Sequence, residues 1–283
     1  MEDRIQHQYK SQINKLEEKL ASTTHQLEKL SSKLLAAESQ RSSFLSHILN
    51  EINNPLTSIL GLTNNIKRMA FNKPELVHKQ ATLAFEQAFE LDYKMRNVFA
   101  AATIEAGAVE VQPGKVDVSG MIDNIIQDLH FKSNRKNIIV KKSESIDKGY
   151  YFLSDPHLLQ SMILNLVGNA IEFSPEDEEA NILGEAGTLG LIFTITDSGS
   201  GISAKDKMTI FGRFTQLDEG VRKAHQGTGL GLSIVKEYAE LLGGNLDVLS
   251  QPGKGSTFVL SLPVLGDNAE DLEEVSFNGE ELF

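Results

Sequence analysis

From Ile13 onward, apolar residues recur at alternating steps of three and four: Ile13, Leu16, Leu20, Leu27, Leu30, Leu34, then Ala37, Phe44 and Ile48. Thr23 and Arg41 interrupt the seam without shifting its register. A sustained heptad of this kind predicts a long helix that pairs with another helix as a coiled-coil dimer. Polar residues on the remaining faces weigh against a helix buried within one domain. Helical spacing continues through Leu45, Ile48, Leu49, Ile52, Leu56, Ile59 and Leu62 around Pro55, where a missing backbone N–H predicts a bend. After Asn72, Lys73 and Pro74, a second helical stretch runs to Ala106, with Leu91, Met95, Val98 and Ala102 on one side, and stops at Gly107. Two helices joined by a short polar turn form a hairpin, and two hairpins make a four-helix bundle.

A stretch rich in Gly, Val and Pro, Gly107 to Val118, then changes the texture of the chain and marks a domain boundary. Beyond it, a helix is predicted from Ser119, strands at Asn137 to Lys141 and Tyr150 to Leu153, and a helix from Pro156 to Phe173. Strands follow near Glu179 to Glu185 and Thr188 to Thr196, then a helix at Leu230 to Leu242 and strands at Asn245 to Ser250 and Ser256 to Pro263. The pattern predicts a multi-domain chain: a coiled coil and helical hairpin, then an α/β sandwich with helices on one face of a mixed sheet. The expected boundaries are a coiled-coil signalling helix over 1–40, a dimerisation hairpin over 41–107, an α/β domain over 108–265 and a tail over 266–283.

Composition narrows the classes. The 283 residues suffice for about two domains. No apolar run reaches the roughly 20 residues that span a bilayer, and the N-terminus is too charged for a signal peptide. The expectation is a cytoplasmic, soluble chain, or one whose membrane sensor part lies elsewhere. With no cysteine, disulfides and thiolate chemistry are excluded. A net charge of −12 argues against nucleic acid as a partner. Seven of the acids and no Lys or Arg lie between Gly266 and Phe283. That tail reads either as a solvated disordered segment or as a docking segment using Leu272, Val275, Phe277 or Phe283.

Four short segments carry candidate chemistry. In Asn165-Leu-Val-Gly-Asn169-Ala-Ile-Glu-Phe173, Asn165 and Asn169 are one helical turn apart and present two amide oxygens to one spot, ligands that Mg²⁺ accepts beside phosphate oxygens and water. Asp197-Ser-Gly199-Ser-Gly201-Ile202 puts a carboxylate at a strand end, able to accept from an exocyclic amine such as adenine's, with glycines that admit close backbone approach. Ile210-Phe211-Gly-Arg213-Phe214 is the third. Gly227, Thr228, Gly229, Leu230, Gly231 and Leu232 then open a helix, where exposed N–H groups suit a phosphate. Between these last two, Gln216 to Gln226 reads as a mobile lid with Arg222 and Lys223, or as a flexible loop without a role. Each segment alone is weak; their order is specific.

In that order they resemble the N, G1, F and G2 boxes of the histidine kinase ATP-binding domain, shared in part with gyrase, Hsp90 and MutL. The resemblance implies a pocket for Mg-ATP held by Asn165, Asn169, Asp197, Gly199, Gly201, Arg213 and the glycine turn. ATP-hydrolysing relatives resemble one another in having a glutamate where Asn165 stands, so the amide disfavours water activation. Glu172 departs from the pattern, which has a lysine there. Upstream, Phe44-Leu-Ser-His47-Ile-Leu-Asn50-Glu51-Ile-Asn53-Asn54-Pro55-Leu56 resembles the H box of the same family, aligned on Glu51, Pro55 and Leu56. The phospho-accepting histidine then falls on Asn50.

An amide nitrogen is delocalised and a poor nucleophile, so Asn50 is not expected to accept phosphate even with Glu51 beside it. His47, about 4.5 Å away along the helix axis, is displaced from that position. The resemblance implies that Glu51 to Asn54 orients water for dephosphorylating a response regulator receiver domain, and it implies a homodimer. Three readings stay open: a histidine kinase core whose acceptor has been replaced, a pseudokinase that binds kinases or regulators, and an ATP-driven conformational protein. The missing hydrolytic glutamate and the H-box helix weigh against the last.

Overall fold

The structure, a computed structural model, describes residues 19, 22–27, 29–32, 48–68, 73–144, 146, 150–187, 190–215, 228–264 and 274–275. Two compact units divide the chain, Met1–Asn53 and Asn54–Phe283. Within the first, residues 22–27 and 29–32 are helical, with Leu27 and Leu30 exposed. Most of the predicted coiled-coil seam, and His47, lie outside the described residues.

Helix α1 covers 48–68 and passes through Pro55 without a break in helical assignment. Helix α2, Pro74–Glu105, starts with Pro74 in its first turn, where the missing N–H costs nothing, and stops before Gly107 at φ 62°. The α/β part follows as β1 Gly114–Asp117, α3 Val118–Asp128, α4 His130–Arg135, β2 Ile139–Glu144, β3 Tyr151–Ser154 and α5 Pro156–Phe173. Then come β4 Glu179–Gly187, β5 Gly190–Asp197, α6 Gly231–Leu241, β6 Asn245–Ser250, β7 Ser256–Leu262 and β8 Glu274–Val275. The long helices followed by a mixed-sheet α/β domain are the predicted fold.

Five strands form one sheet in the order β2-β4-β5-β7-β6, parallel only between β2 and β4. Leu159, Met162, Ile163, Leu166 and Ile171 of α5 are fully buried, together with Phe193 of β5. At roughly 1.5–3 kcal/mol for each such side chain, this layer is a principal source of stability. The start of α5 is set by Asp155, whose Oδ1 accepts from the N–H groups of His157 (2.9 Å) and Leu158 (3.0 Å), followed by Pro156. Its Oδ2 accepts from the Gln112 N–H at 2.7 Å, tying the stretch between α2 and β1 to the helix that bears the Asn165 motif.

β2 begins two residues later than predicted. Asn137 has φ 52° and donates from Nδ2 to Asp177 Oδ1 at 2.7 Å, a turn conformation that no strand accommodates. The short elements β1 and α4 are additions to the predicted order. A second sheet, β3-β1-β8, brings Glu274 and Val275 of the acidic tail alongside Lys115 and Val116 in parallel register. The rest of the tail lies outside the described residues. Among the described residues no helix is long and apolar enough to cross a membrane.

Candidate functional site

β5 ends at Asp197, which is 6% exposed. Its Oδ1 accepts from the backbone N–H groups of Gly199 (2.8 Å) and Ser256 (3.1 Å). Burial pushes this carboxyl above the usual Asp range, opposed by those N–H groups and by Ser256. The two glycines are required by space. A Cβ at Gly199 would lie 2.7 Å from the Phe173 carbonyl oxygen, and one at Gly201, where φ is 73°, would run into the Gln251 carbonyl. The carboxylate is therefore fixed at a strand end beside the C-terminus of α5.

The second feature is the N-box pair on α5. Asn165 is 1% exposed, and both its amide atoms are fully engaged. Oδ1 accepts from the Tyr93 hydroxyl (2.7 Å) and from Asn97 Nδ2 (3.0 Å), while Nδ2 donates to Asn97 Oδ1 (3.1 Å) and to the Ser161 carbonyl (2.9 Å). Tyr93 and Asn97 belong to α2. Asn169, one turn later, is half-buried and makes no hydrogen bond among the described residues. The Asn165 oxygen, by contrast, already accepts from two donors on α2. Gly231, the first residue of α6, abuts Asn165, since a Cβ there would lie 2.6 Å from Oδ1.

The F and G2 segments meet each other. Phe214 at φ 62° donates its N–H to the Gly229 carbonyl at 2.9 Å, and Gly229 has φ 67°. Leu230 is fully buried, and α6 has no side-chain cap, which leaves its first-turn N–H groups without that partner. Thr228 is half-buried beside them. Arg213 does not point away as a free cation. It forms a bidentate pair with Glu237 of α6, Nε to Oε1 at 2.9 Å and Nη2 to Oε2 at 2.8 Å, with Glu105 of α2 at 3.9 Å. Gly227 and Gln216 to Gln226 lie outside the described residues. Among the described residues there is no group of three or more His, Asp or Glu side chains that could hold a metal, so a cation here would rely on amides and on the ligand's own oxygens.

Glu172, the departure from the family pattern, pairs with Lys132 of α4 at 2.7 Å. Burial alone would lower Lys132, but Glu172, with Tyr93 and Glu90, holds it above the ordinary lysine range and charged. Lys136 caps the same helix end, donating to the carbonyls of Glu172 and of Ser174 (3.0 Å). Glu172→Gln should therefore cost about 1 kcal/mol in urea unfolding by leaving Lys132 unpaired, and adding Lys132→Met should recover most of it.

The family described as histidine kinase-, DNA gyrase B- and HSP90-like ATPase matches residues 154–266, which include Asn165, Asn169, Asp197, Arg213 and the glycine turn. The circadian input-output histidine kinase CikA of Synechococcus elongatus is 27% identical over 260 residues, 90% of this chain and 34% of that protein. The sensor histidine kinase TmoS of Ectopseudomonas mendocina is 30% identical over 259 residues, 88% of this chain and 26% of that protein. The chain is a homologue of sensor histidine kinases.

Among solved structures, full-length ShkA in complex with AMPPNP superposes with a TM-score of 0.55 at 23% identity, covering 79% of this chain and 46% of that one. The Acinetobacter baumannii histidine kinase AdeS gives 0.52 at 18% identity, covering 76% of this chain and 98% of that one. Both share the fold. This histidine kinase homologue spans about a third or less of the length of CikA and TmoS.

In the homologue's H-box segment, Asn50 is an exposed position of α1, Glu51 is half-buried and Asn54 is exposed. Sequence reading did not find Tyr93, Asn97 and Lys132. The apolar seam singled out on α2, Leu91 to Ala102, is not the side that meets α5. That side is polar, and hydrophobic periodicity does not register it.

Proposed function

We propose that this chain is a histidine kinase core that binds Mg-ATP through Asp197, Asn169 and the glycine turn, and whose own phosphorylation is blocked at Asn50. The observation that supports it most is Asp197. It is a buried carboxylate, with Oδ1 occupied by two backbone donors and two glycines required just after it, and it suits an adenine amine. Asn169, and Asn165 once freed from α2, would hold Mg²⁺; bound Mg-ATP would supply the transferable phosphoryl group. Gly227, Thr228, Gly229, Leu230 and Gly231 would face the phosphates with backbone N–H groups, and Arg213, if it leaves Glu237, would add a cation.

Without an imidazole at position 50, the Glu51 to Asn54 segment keeps chemistry that needs no histidine. The Asn54 amide would orient water toward a phosphorylated response regulator receiver domain. Exposed Leu56 and Leu60 of α1 and Phe85 and Phe99 of α2 supply apolar surface for a homodimer. A pseudokinase that binds regulators or other kinases is the second reading, favoured by Asn50 and by the hold of α2 on Asn165. Calorimetric titration tests the first: ATP should bind more tightly with Mg²⁺ than without, and adenosine should bind regardless of Mg²⁺. Heat from neither ligand would overturn the nucleotide reading.

A further inference from the structure

The side of α2 that meets the α/β domain is a single stripe: Glu86, Glu90, Tyr93, Asn97, Ala101 and Glu105, spaced by threes and fours. Each polar member meets a group that a metal-bound triphosphate would also want. Tyr93 and Asn97 occupy the Asn165 amide. Glu90 acts on the Lys132 charge, Glu86 Oε2 lies 3.4 Å from Arg135 Nη2, and Glu105 Oε2 lies 3.9 Å from Arg213 Nη1. Phe89 packs edge-on to Phe131 of α4 with centroids 5.2 Å apart, and Asn97 and Ala101 are buried. A small cavity lined by Phe89, Tyr93, Lys132 and Gly168 closes the junction. The stripe is buried at Asn97 and Ala101, half-buried at Glu86, Glu90 and Tyr93 and exposed at Glu105, and its acids and hydrogen-bonding groups face an amide and cations as the phosphate end of a nucleotide would.

We propose that α2 is an internal stand-in for metal-triphosphate, and that α2 and the Mg-phosphate part of a nucleotide are mutually exclusive occupants of the Asn165 face. The proposal rests on the nucleotide reading of the site and adds its coupling. Asn165 cannot serve α2 and a cation at once, since both its oxygen lone pairs and both its N–H groups are used. The Tyr93 hydroxyl donates to the Asn165 oxygen at 2.7 Å, so it fills a lone pair that a cation would need. Binding at Asn165 therefore entails release of α2, and whatever draws α2 away raises affinity for the triphosphate without touching the Asp197 end.

The test uses the full chain. Asn97→Ala and Tyr93→Phe, each removing part of the α2 hold, should tighten Mg-ATP binding by roughly fivefold while leaving adenosine affinity unchanged. Unchanged or weaker Mg-ATP binding in both variants would overturn the proposal. If no form of the chain binds nucleotide, the nucleotide reading fails on its own and α2 is judged by cross-linking. Because the sequence has no cysteine, Glu86→Cys with Arg135→Cys provides the sole pair of thiols. A short bis-maleimide should bridge them quickly, and several-fold more slowly when Asn97→Ala is added. An unaltered bridging rate would count against the clasp even in the absence of nucleotide binding. Where ATP does bind, the bridged chain should lose Mg-ATP affinity and keep adenosine affinity; retained Mg-ATP affinity would refute the competition.

Discussion

Asp197→Asn should weaken adenosine and ATP binding by roughly a hundredfold or more while making the fold more stable. In the variant the amide oxygen keeps the Gly199 and Ser256 N–H bonds that Oδ1 accepts. The amide NH₂ then stands where the second carboxylate oxygen was, and it meets the adenine amine donor to donor. A buried mismatch of this kind leaves both groups unpaired, which a site built on one hydrogen bond tolerates poorly. Stability moves the other way. The carboxyl has a raised pKa in the fold because burial penalises its charge, so the fold binds that proton more readily than the unfolded chain does. Its favourable contribution is complete below the ordinary carboxylate pKa and is lost as pH rises through the raised value. At neutral pH the Asn variant should be the more stable of the two, and the gap should close on acidification. Thermal melts across pH, run beside calorimetry, read both effects; a variant that still binds adenosine would refute the role of Asp197.

Asn50→His should convert a chain that takes up no label from γ-labelled ATP into one that does, a gain of at least about a hundredfold over background. The difference is electronic. An amide nitrogen's lone pair is delocalised into its carbonyl, whereas imidazole keeps an in-plane pair, and Glu51 is next in sequence to orient the ring. Position 50 is an exposed site on α1, so the substitution should shift stability by no more than about 0.5 kcal/mol, and loss of fold is not expected to obscure the result. Adding His47→Ala to the Asn50→His chain should leave labelling intact. Label on the unaltered chain would refute the block at Asn50. Absence of label from Asn50→His, with ATP bound by calorimetry, would favour the pseudokinase reading.

The fold was most legible where the chain signals its own punctuation. Asp155 and Pro156 announce α5 and the pattern ends at Phe173; the predicted helix has those bounds. Gly243 and Gly244 likewise precede β6, which runs from Asn245 to Ser250 as predicted. β1 escaped notice because Gly114-Lys-Val-Asp117 has one apolar residue, and its strand character comes from pairing with Tyr151–Ser154. α4 is shorter than two turns, too short to show a period. For the site, the order of four motifs singled out Asp197 and the asparagines, and Glu172 stood out only as a departure from the family pattern, with no sign of its partner. The lysine that neutralises it, Lys132, lies on another helix, and no local pattern joins them. The partners of Asn165 were hidden for a different reason. Tyr93 and Asn97 fall on a polar helix face, which sequence reasoning assigns to solvent unless a partner is known.

The pairing of β8 with β1 has a consequence for how the molecule comes to be folded. Val116 and Val275 sit at the two ends of the α/β domain in sequence, and their contact closes a loop that contains all five strands of the larger sheet. Contacts of such long range are entropically unfavourable until the intervening chain is already compact. The five-stranded sheet should therefore form first, with the β1 edge left open to solvent or to another extended segment until the acidic tail arrives. Hydrogen exchange during refolding should show the β1 amides protected later than those of β5 and β7.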